Sequence, residues 1–231
     1  MVIGRDPMTE VVEVVGQFIS ASNATLLGRD ESGELVVYKP HAGEAPLWDF
    51  PDNTLAQREV LTYEIAVALG FDVVPETVLG EGPYGMGAIQ RFVEIDESFD
   101  PLPLVKAGSH ELWPMAVLDV VCNNADRKLG HMIREQKTHR LYGIDHGLNF
   151  HVDHKLRTVL WCFAGEAIPS PLLDQVRKLN DALHGSLQSR VLELVSSEEF
   201  SALRDRVAGL LETPVHPHPP TTRPAIPWPP Y

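Results

Sequence analysis

A two-lobed α+β fold is predicted for the 231-residue chain by two changes of pattern along its length. Up to residue 93, short β-type runs surround a single helical pattern, which describes an antiparallel sheet carrying one helix. From residue 110 the apolar spacing turns mostly helical, with the boundary falling near 94–110. The expected division is a sheet lobe over 1–93, a mainly helical lobe over 94–212 and a proline-rich tail over 213–231.

The elements follow in order. Val11-Val12 and Val14-Val15, among acids, predict a short strand or helix. Gly16 to Leu27 places small and polar residues between two apolar runs, which reads as strand, tight loop, strand. Asp30-Glu31-Ser32-Gly33-Glu34 is a hairpin-type turn, and Leu35-Val36-Val37-Tyr38 is a strand ended by Lys39-Pro40. Residues 41–52 hold two prolines and a glycine and read as loop. Asn53 or Thr54 caps a helix in which Leu55, Val60, Leu61, Ile65 and Leu69 recur at helical spacing until Gly70. Val73-Val74-Pro75, Thr77-Val78-Leu79 and Ala88 to Val93 read as strands. In the second lobe, Leu112 to Val121 is an apolar helix, and Met132-Ile133 with Leu141 to Ile144 is a hairpin. Two amphipathic helices are expected over 171–184 and 186–212. The last nineteen residues hold eight prolines and a single charge, Arg223, so a disordered or polyproline-like extension is expected.

Composition narrows the class of protein. Thirty-two acids against nineteen bases give a formal charge of −13, which repels nucleic acid and anionic lipid. No stretch approaches the roughly 18 apolar residues of a membrane span, and the charged start does not read as a secretory signal. Cys122 and Cys162 lack metal-site spacing and cannot build a disulfide framework, so a cytoplasmic protein is expected.

Three polar clusters end apolar elements, where sites tend to form. Lys39 closes a strand, and Glu59 follows on the next helix beside Arg58; each alone is the common solvated case. Together they fit a carboxylate that braces an ammonium toward a phosphate. Asn123-Asn124-Ala125-Asp126-Arg127-Lys128-Leu129-Gly130-His131 follows the apolar helix, and Gly143-Ile144-Asp145-His146-Gly147 follows a short strand. Two ordinary polar turns are the plain alternative. A phosphoryl-transfer site needs this set, however: one Asp to orient the acceptor, a ligand shortly after it, and a second Asp to complete a cation clamp. Asp126, His131 and Asp145 have that order.

Those residues carry a resemblance. Val37 to Pro40, Arg58-Glu59 through Thr77, Asp119 through His131 and Gly143 to Phe150 occur in the order of the atypical kinase superfamily that includes phosphatidylinositol 3/4-kinases and HipA-type kinases. Within it the chain resembles an actinobacterial family described as phosphatidylinositol-kinase-like. The likeness implies a two-lobed protein-kinase-like fold and an ATP-dependent phosphotransferase using Mg²⁺ or Mn²⁺. It implies Asp126 as catalytic aspartate with Arg127 beside it, Lys39 on the α- and β-phosphates, and Glu59 bracing Lys39. Ser22, Asn23 and Thr25 take the place of the phosphate-covering loop, and Gln90, Arg91, Phe92 and Val93 that of the adenine hinge. Asp145 and His131 are the expected cation ligands.

Two departures stand out. His131 replaces the usual asparagine, and neutral imidazole favours softer divalents such as Mn²⁺ over Mg²⁺. The nucleotide loop keeps only Gly16 and Gly28 at its flanks. These favour the alternative of a nucleotide-binding pseudokinase acting as scaffold or sensor. Retention of Lys39, Glu59, Asp126 and Asp145 favours an enzyme acting on a hydroxyl of a protein or small soluble acceptor. A third reading is an interaction module whose tail binds SH3-like partners. His146, His151 and His154 read as surface histidines, and Arg134, Lys137, His139 and Arg140 as a solvated basic turn.

Overall fold

The computed structural model describes residues 8–18 and 23–231. Five antiparallel strands form the first sheet: β1 (Val11–Gln17), β2 (Leu26–Asp30), β3 (Leu35–Pro40), β4 (Thr77–Gly80) and β5 (Gly87–Arg91), in the order β1-β2-β3-β5-β4. Between β3 and β4 runs helix α1 (Leu55–Ala68). Val73-Val74-Pro75, expected as a strand, is not one. Val73 and Val74 are buried in the large core, and proline cannot donate to a sheet ladder.

Alternation along β3 decides what each face of the sheet does. Val36 and Tyr38 point into a small core with Val11, Leu26 and Ile89. Leu35, Val37 and Lys39 therefore face the opposite way, and Lys39 lies opposite Ala88 of β5. Helix α1 is the hinge of the architecture because its apolar side joins the large core rather than the small one. Val60, Leu61 and Ile65 pack there with residues of the second lobe such as Met115, Leu118 and Val176.

The second lobe contains α2 (Leu102–Ala107), α3 (Trp113–Cys122), the hairpin β6 (Met132–Arg134) and β7 (Leu141–Gly143), then α4 (Ser170–Leu183), α5 (Gln188–Leu194) and α6 (Ser197–Glu212). Proline stands in the first turn of α2, α3 and α4, where its missing N–H costs nothing. The expected helix over 186–212 is two helices. Val195 is extended, and Ser196 begins α6 with a capping box in which its hydroxyl accepts from Glu199 N–H and Glu199 accepts from Ser196 N–H. Among the described residues no helix is long and apolar enough to cross a membrane.

The tail differs most from expectation. Residues 213–231 run without regular structure, yet they are docked along the second lobe. His216 is fully buried among the rings of Trp113, Trp161 and Phe163. Gly165 N–H donates to His216 O and His216 N–H donates to Glu166 O, each at 2.9 Å. A proline-rich segment keeps all its carbonyls, so other elements can supply the donors it lacks.

Candidate active site

Lys39 leaves β3 on the face turned toward α1, and its Nζ contacts Glu59 Oε1 and, at 3.2 Å, Asp145 Oδ1. One ammonium from the sheet lobe thus joins a carboxylate on α1 to a carboxylate of the second lobe. Burial works against the charge on Lys39, but Glu59 and then Asp145 outweigh it and leave its pKa raised. The Lys39 ammonium in turn holds the Asp145 carboxyl well below the usual carboxylate range.

Glu59 is aimed at Lys39 because its helix is held from several sides. Glu44 accepts the Leu55 and Ala56 amides at 3.1 and 3.0 Å, capping the N-terminus of α1. Arg58, 1% exposed, turns away from Glu59 to pair with Glu199 at 2.6 Å and donate to Asn149 O at 2.7 Å. Asn149 Nδ2 donates to Thr62 Oγ1 at 2.7 Å.

The loop that carries Asp126 is built on buried polar groups. Asn123 adopts φ 56° and ends α3, a left-handed position that asparagine tolerates. Its side chain donates to His151 O and Asp153 O and accepts from Lys155 N–H. Asn124 donates to Asp119 Oδ1 and accepts the Asp126 amide, each at 2.9 Å. Asp126 is then left partly open, paired with Lys128 Nζ at 2.9 Å. Lys128 stands two residues after Asp126 in the chain.

Arg127, expected beside the catalytic aspartate, is held inside the lobe. It is wholly buried, with its guanidinium on Asp119 at 2.9 Å, on the carbonyls of His131 and Ile144 at 3.3 Å, and on His146 Nε2 at 2.7 Å. It ties the Asp126 loop to the Asp145 loop. His146 is likewise not a surface histidine. Arg127 can only donate, so His146 Nε2 accepts and its Nδ1 carries the proton, 4.0 Å from Glu59 Oε2. Burial, then the neighbouring Arg127 charge, holds His146 well below the ordinary histidine range and therefore neutral.

His131 Nε2 lies 3.4 Å from Asp145 Oδ2, and burial lowers its pKa against the pull of Asp145. Asp145 itself is half-exposed and adopts φ 62° after β7, which turns its carboxylate toward Lys39. A neutral imidazole and a carboxylate at this separation fit a divalent cation as two of its donors. No group of three or more candidate protein donors occurs among the described residues.

The remaining expected residues are placed unequally. Ser22 lies outside the described residues. Asn23 Oδ1 accepts the Ala45 amide at 2.8 Å, and Thr25 Oγ1 donates to Asn23 O at 3.4 Å. Gln90 and Arg91 belong to β5, with Gln90 bonded to Thr77 Oγ1 at 2.9 Å and Arg91 paired with Glu135 at 2.9 Å. Phe92 N–H donates to Leu35 O. The amides of Val93, Glu94 and Ile95 have no acceptor among the described residues.

No protein-family model matches the chain. It is 41% identical over 256 aligned positions to Protein Rv2133c of Mycobacterium tuberculosis (strain ATCC 25618 / H37Rv), covering 94% of this chain and 91% of that protein. Among solved structures, the Helicobacter pylori proinflammatory kinase CtkA superposes with a TM-score of 0.56 at 14% identity, over 90% of this chain and 95% of its own. The Golgi casein kinase superposes with a TM-score of 0.57 at 14% identity, over 90% of this chain and 72% of its own, and has also been crystallised with Mn/ADP bound. The fold is that of a kinase.

Proposed function

The chain belongs to the family of Protein Rv2133c, and from that membership and the kinase fold we propose that it is an ATP-dependent phosphotransferase acting on a hydroxyl. The observation that carries this reading is the single Lys39 ammonium shared by Glu59 and Asp145 across the lobe boundary. A fold alone does not need a strand lysine, a buried helix carboxylate and a half-exposed loop carboxylate on one point. A triphosphate site does.

In this reading Lys39 neutralises the α- and β-phosphates, and Glu59 keeps it extended. The open amides of Val93, Glu94 and Ile95 meet the edge of adenine. Asp126 orients the acceptor hydroxyl and receives its proton as the new O–P bond forms and the bond from Pγ to the ADP oxygen breaks. Lys128, beside Asp126, offsets charge on the phosphoryl group in flight. Mg²⁺ or Mn²⁺ held by Asp145 and His131 would screen the β- and γ-phosphates. The motif order allies the chain with the phosphatidylinositol 3/4-kinase and HipA-type branch, but a charge of −13 disfavours an anionic bilayer as acceptor surface. A protein or small soluble hydroxyl compound in the cytoplasm is the favoured acceptor, with no nucleic acid partner.

The test combines binding and turnover. ATP at about 100 times its Kd should stabilise the chain by about 2.7 kcal/mol, in a thermal-shift titration, and only with Mn²⁺ or Mg²⁺ present. Asp126→Asn should keep that shift while turnover of γ-labelled ATP falls by about 10²–10⁴-fold. Absence of any ATP-linked shift with both ions present would refute the proposal. Turnover unaffected in Asp126→Asn would remove Asp126 from its role.

A further inference from the structure

The docked tail reaches the Asp126 loop by two routes. Ala225 O accepts from Thr158 N–H at 3.1 Å and from Trp161 Nε1 at 2.9 Å. Thr158 lies in a short extended segment that is laced to the loop: Arg157 N–H donates to Asn124 O, Arg127 N–H to Arg157 O and Val159 N–H to Arg127 O. The hydroxyl of Thr158 also donates to Asp119, the carboxylate that grips Arg127. The second route is direct. Leu129 N–H donates to Pro230 O at 2.7 Å, and a methyl group at Gly130 would lie 3.4 Å from the carbonyl carbon of Tyr231. Leu129 and Gly130 stand between Lys128, paired with Asp126, and His131, beside Asp145.

We infer that residues 213–231 are a strap that holds the Asp126–His131 loop in its working geometry, through the carbonyls of Ala225 and Pro230. The composition suits the task. Proline restricts the backbone before docking, so less entropy is lost when the segment lies down. Leu129 is 5% exposed, and without the Pro230 carbonyl its N–H loses its acceptor and must turn to water or another group, which frees the loop to move. Such movement would displace Asp126 relative to His131. Pro230 and Ala225 are positioning groups and touch no reacting atom; the turnover part of this inference rests on the kinase reading above.

Deletion of Trp228–Tyr231 removes the Leu129 acceptor and leaves Ala225 in place, while Pro230→Ala retains the carbonyl. In amide hydrogen exchange followed by NMR, the deletion should speed exchange at Leu129 by about tenfold or more and leave Thr158 unchanged. Its kcat should fall by about tenfold or more, with the KM for ATP within about twofold, because loop geometry rather than nucleotide binding is lost. Pro230→Ala should behave as the parent in both measurements. Unchanged Leu129 exchange in the deletion would overturn the strap, as would faster exchange with kcat intact. If the full chain turns over no ATP, the kinase reading fails, and exchange at Leu129 still decides whether the strap holds the loop.

Discussion

The His131 imidazole is 14% exposed, its Nε2 is 3.4 Å from Asp145, and burial keeps it neutral near pH 7. A nitrogen donor there ranks divalent ions differently from an amide oxygen, because imidazole suits borderline metals and Mg²⁺ prefers oxygen. ATP turnover in Mn²⁺ should exceed that in Mg²⁺ by about tenfold, and His131→Asn should bring the ratio to about one or below. Steady-state rates at matched free-ion concentrations check this; an unchanged ratio removes His131 from the cation shell. Asp145, with its pKa depressed mainly by Lys39, contributes stability above the unfolded carboxylate pKa, about 3.9, and loses it as pH falls through the folded value. It is therefore ionised throughout the range in which such rates are measured.

Helix α1 brings Glu59 to Lys39, and what holds α1 is the second lobe. Its Arg58–Glu199 pair is buried at 2.6 Å, the Asn149–Thr62 bond lies one turn further on, and Arg190 forks onto Glu64 at 2.8–3.2 Å. Glu199 also closes the capping box of α6. Glu199→Ala should therefore cost about 3–5 kcal/mol, because it strands the buried Arg58 charge. Ser196→Ala, which removes only the cap hydroxyl, should cost about 1 kcal/mol. Urea unfolding of both variants measures the difference; similar losses would mean that Arg58 finds another partner.

Over the whole molecule, the tail ties global stability to pH through His216. Its Nδ1 donates to Pro217 O at 3.1 Å, the Nε2 atom has no partner among the described residues, and three aromatic rings surround it. Burial lowers its pKa, and His218 adds to this; the hydrogen bond to Pro217 O and the charges of Asp119 and Glu166 pull it up without reversing the shift. A histidine with a depressed folded pKa contributes stability above its unfolded value, about 6.5, and loses it as pH falls toward the folded value. Unfolding free energy should decline on acidification from pH 7.5 to 5.5, with His216 supplying at most about 1.4 kcal/mol per pH unit. His216→Phe should flatten that slope in urea titrations. An unchanged slope would show that His216 does not titrate in this range.

Local patterns were enough to determine the lobe order, the β3 strand ending at Lys39, helix α1 and the two polar loops, because alternation, capping and turn chemistry act over a few residues. The order of Lys39, Glu59, Asp126, His131 and Asp145 was likewise visible in the chain, as was the kinase architecture that this order implies. Tertiary structure decided which of these polar residues meet. His146 looks like loop surface in sequence, yet contacts with Arg127 and with Glu59, far back along the chain, bury it, and Arg127 is buried by Asp119 and by Ile144 of the following loop. Proline content likewise reads as an unpaired tail, since proline lacks a donor, but the donors that hold it belong to Leu129, Thr158, Trp161 and Gly165. Burial and hydrogen-bond partners across such separations are properties of packing, and no window of neighbouring residues contains them.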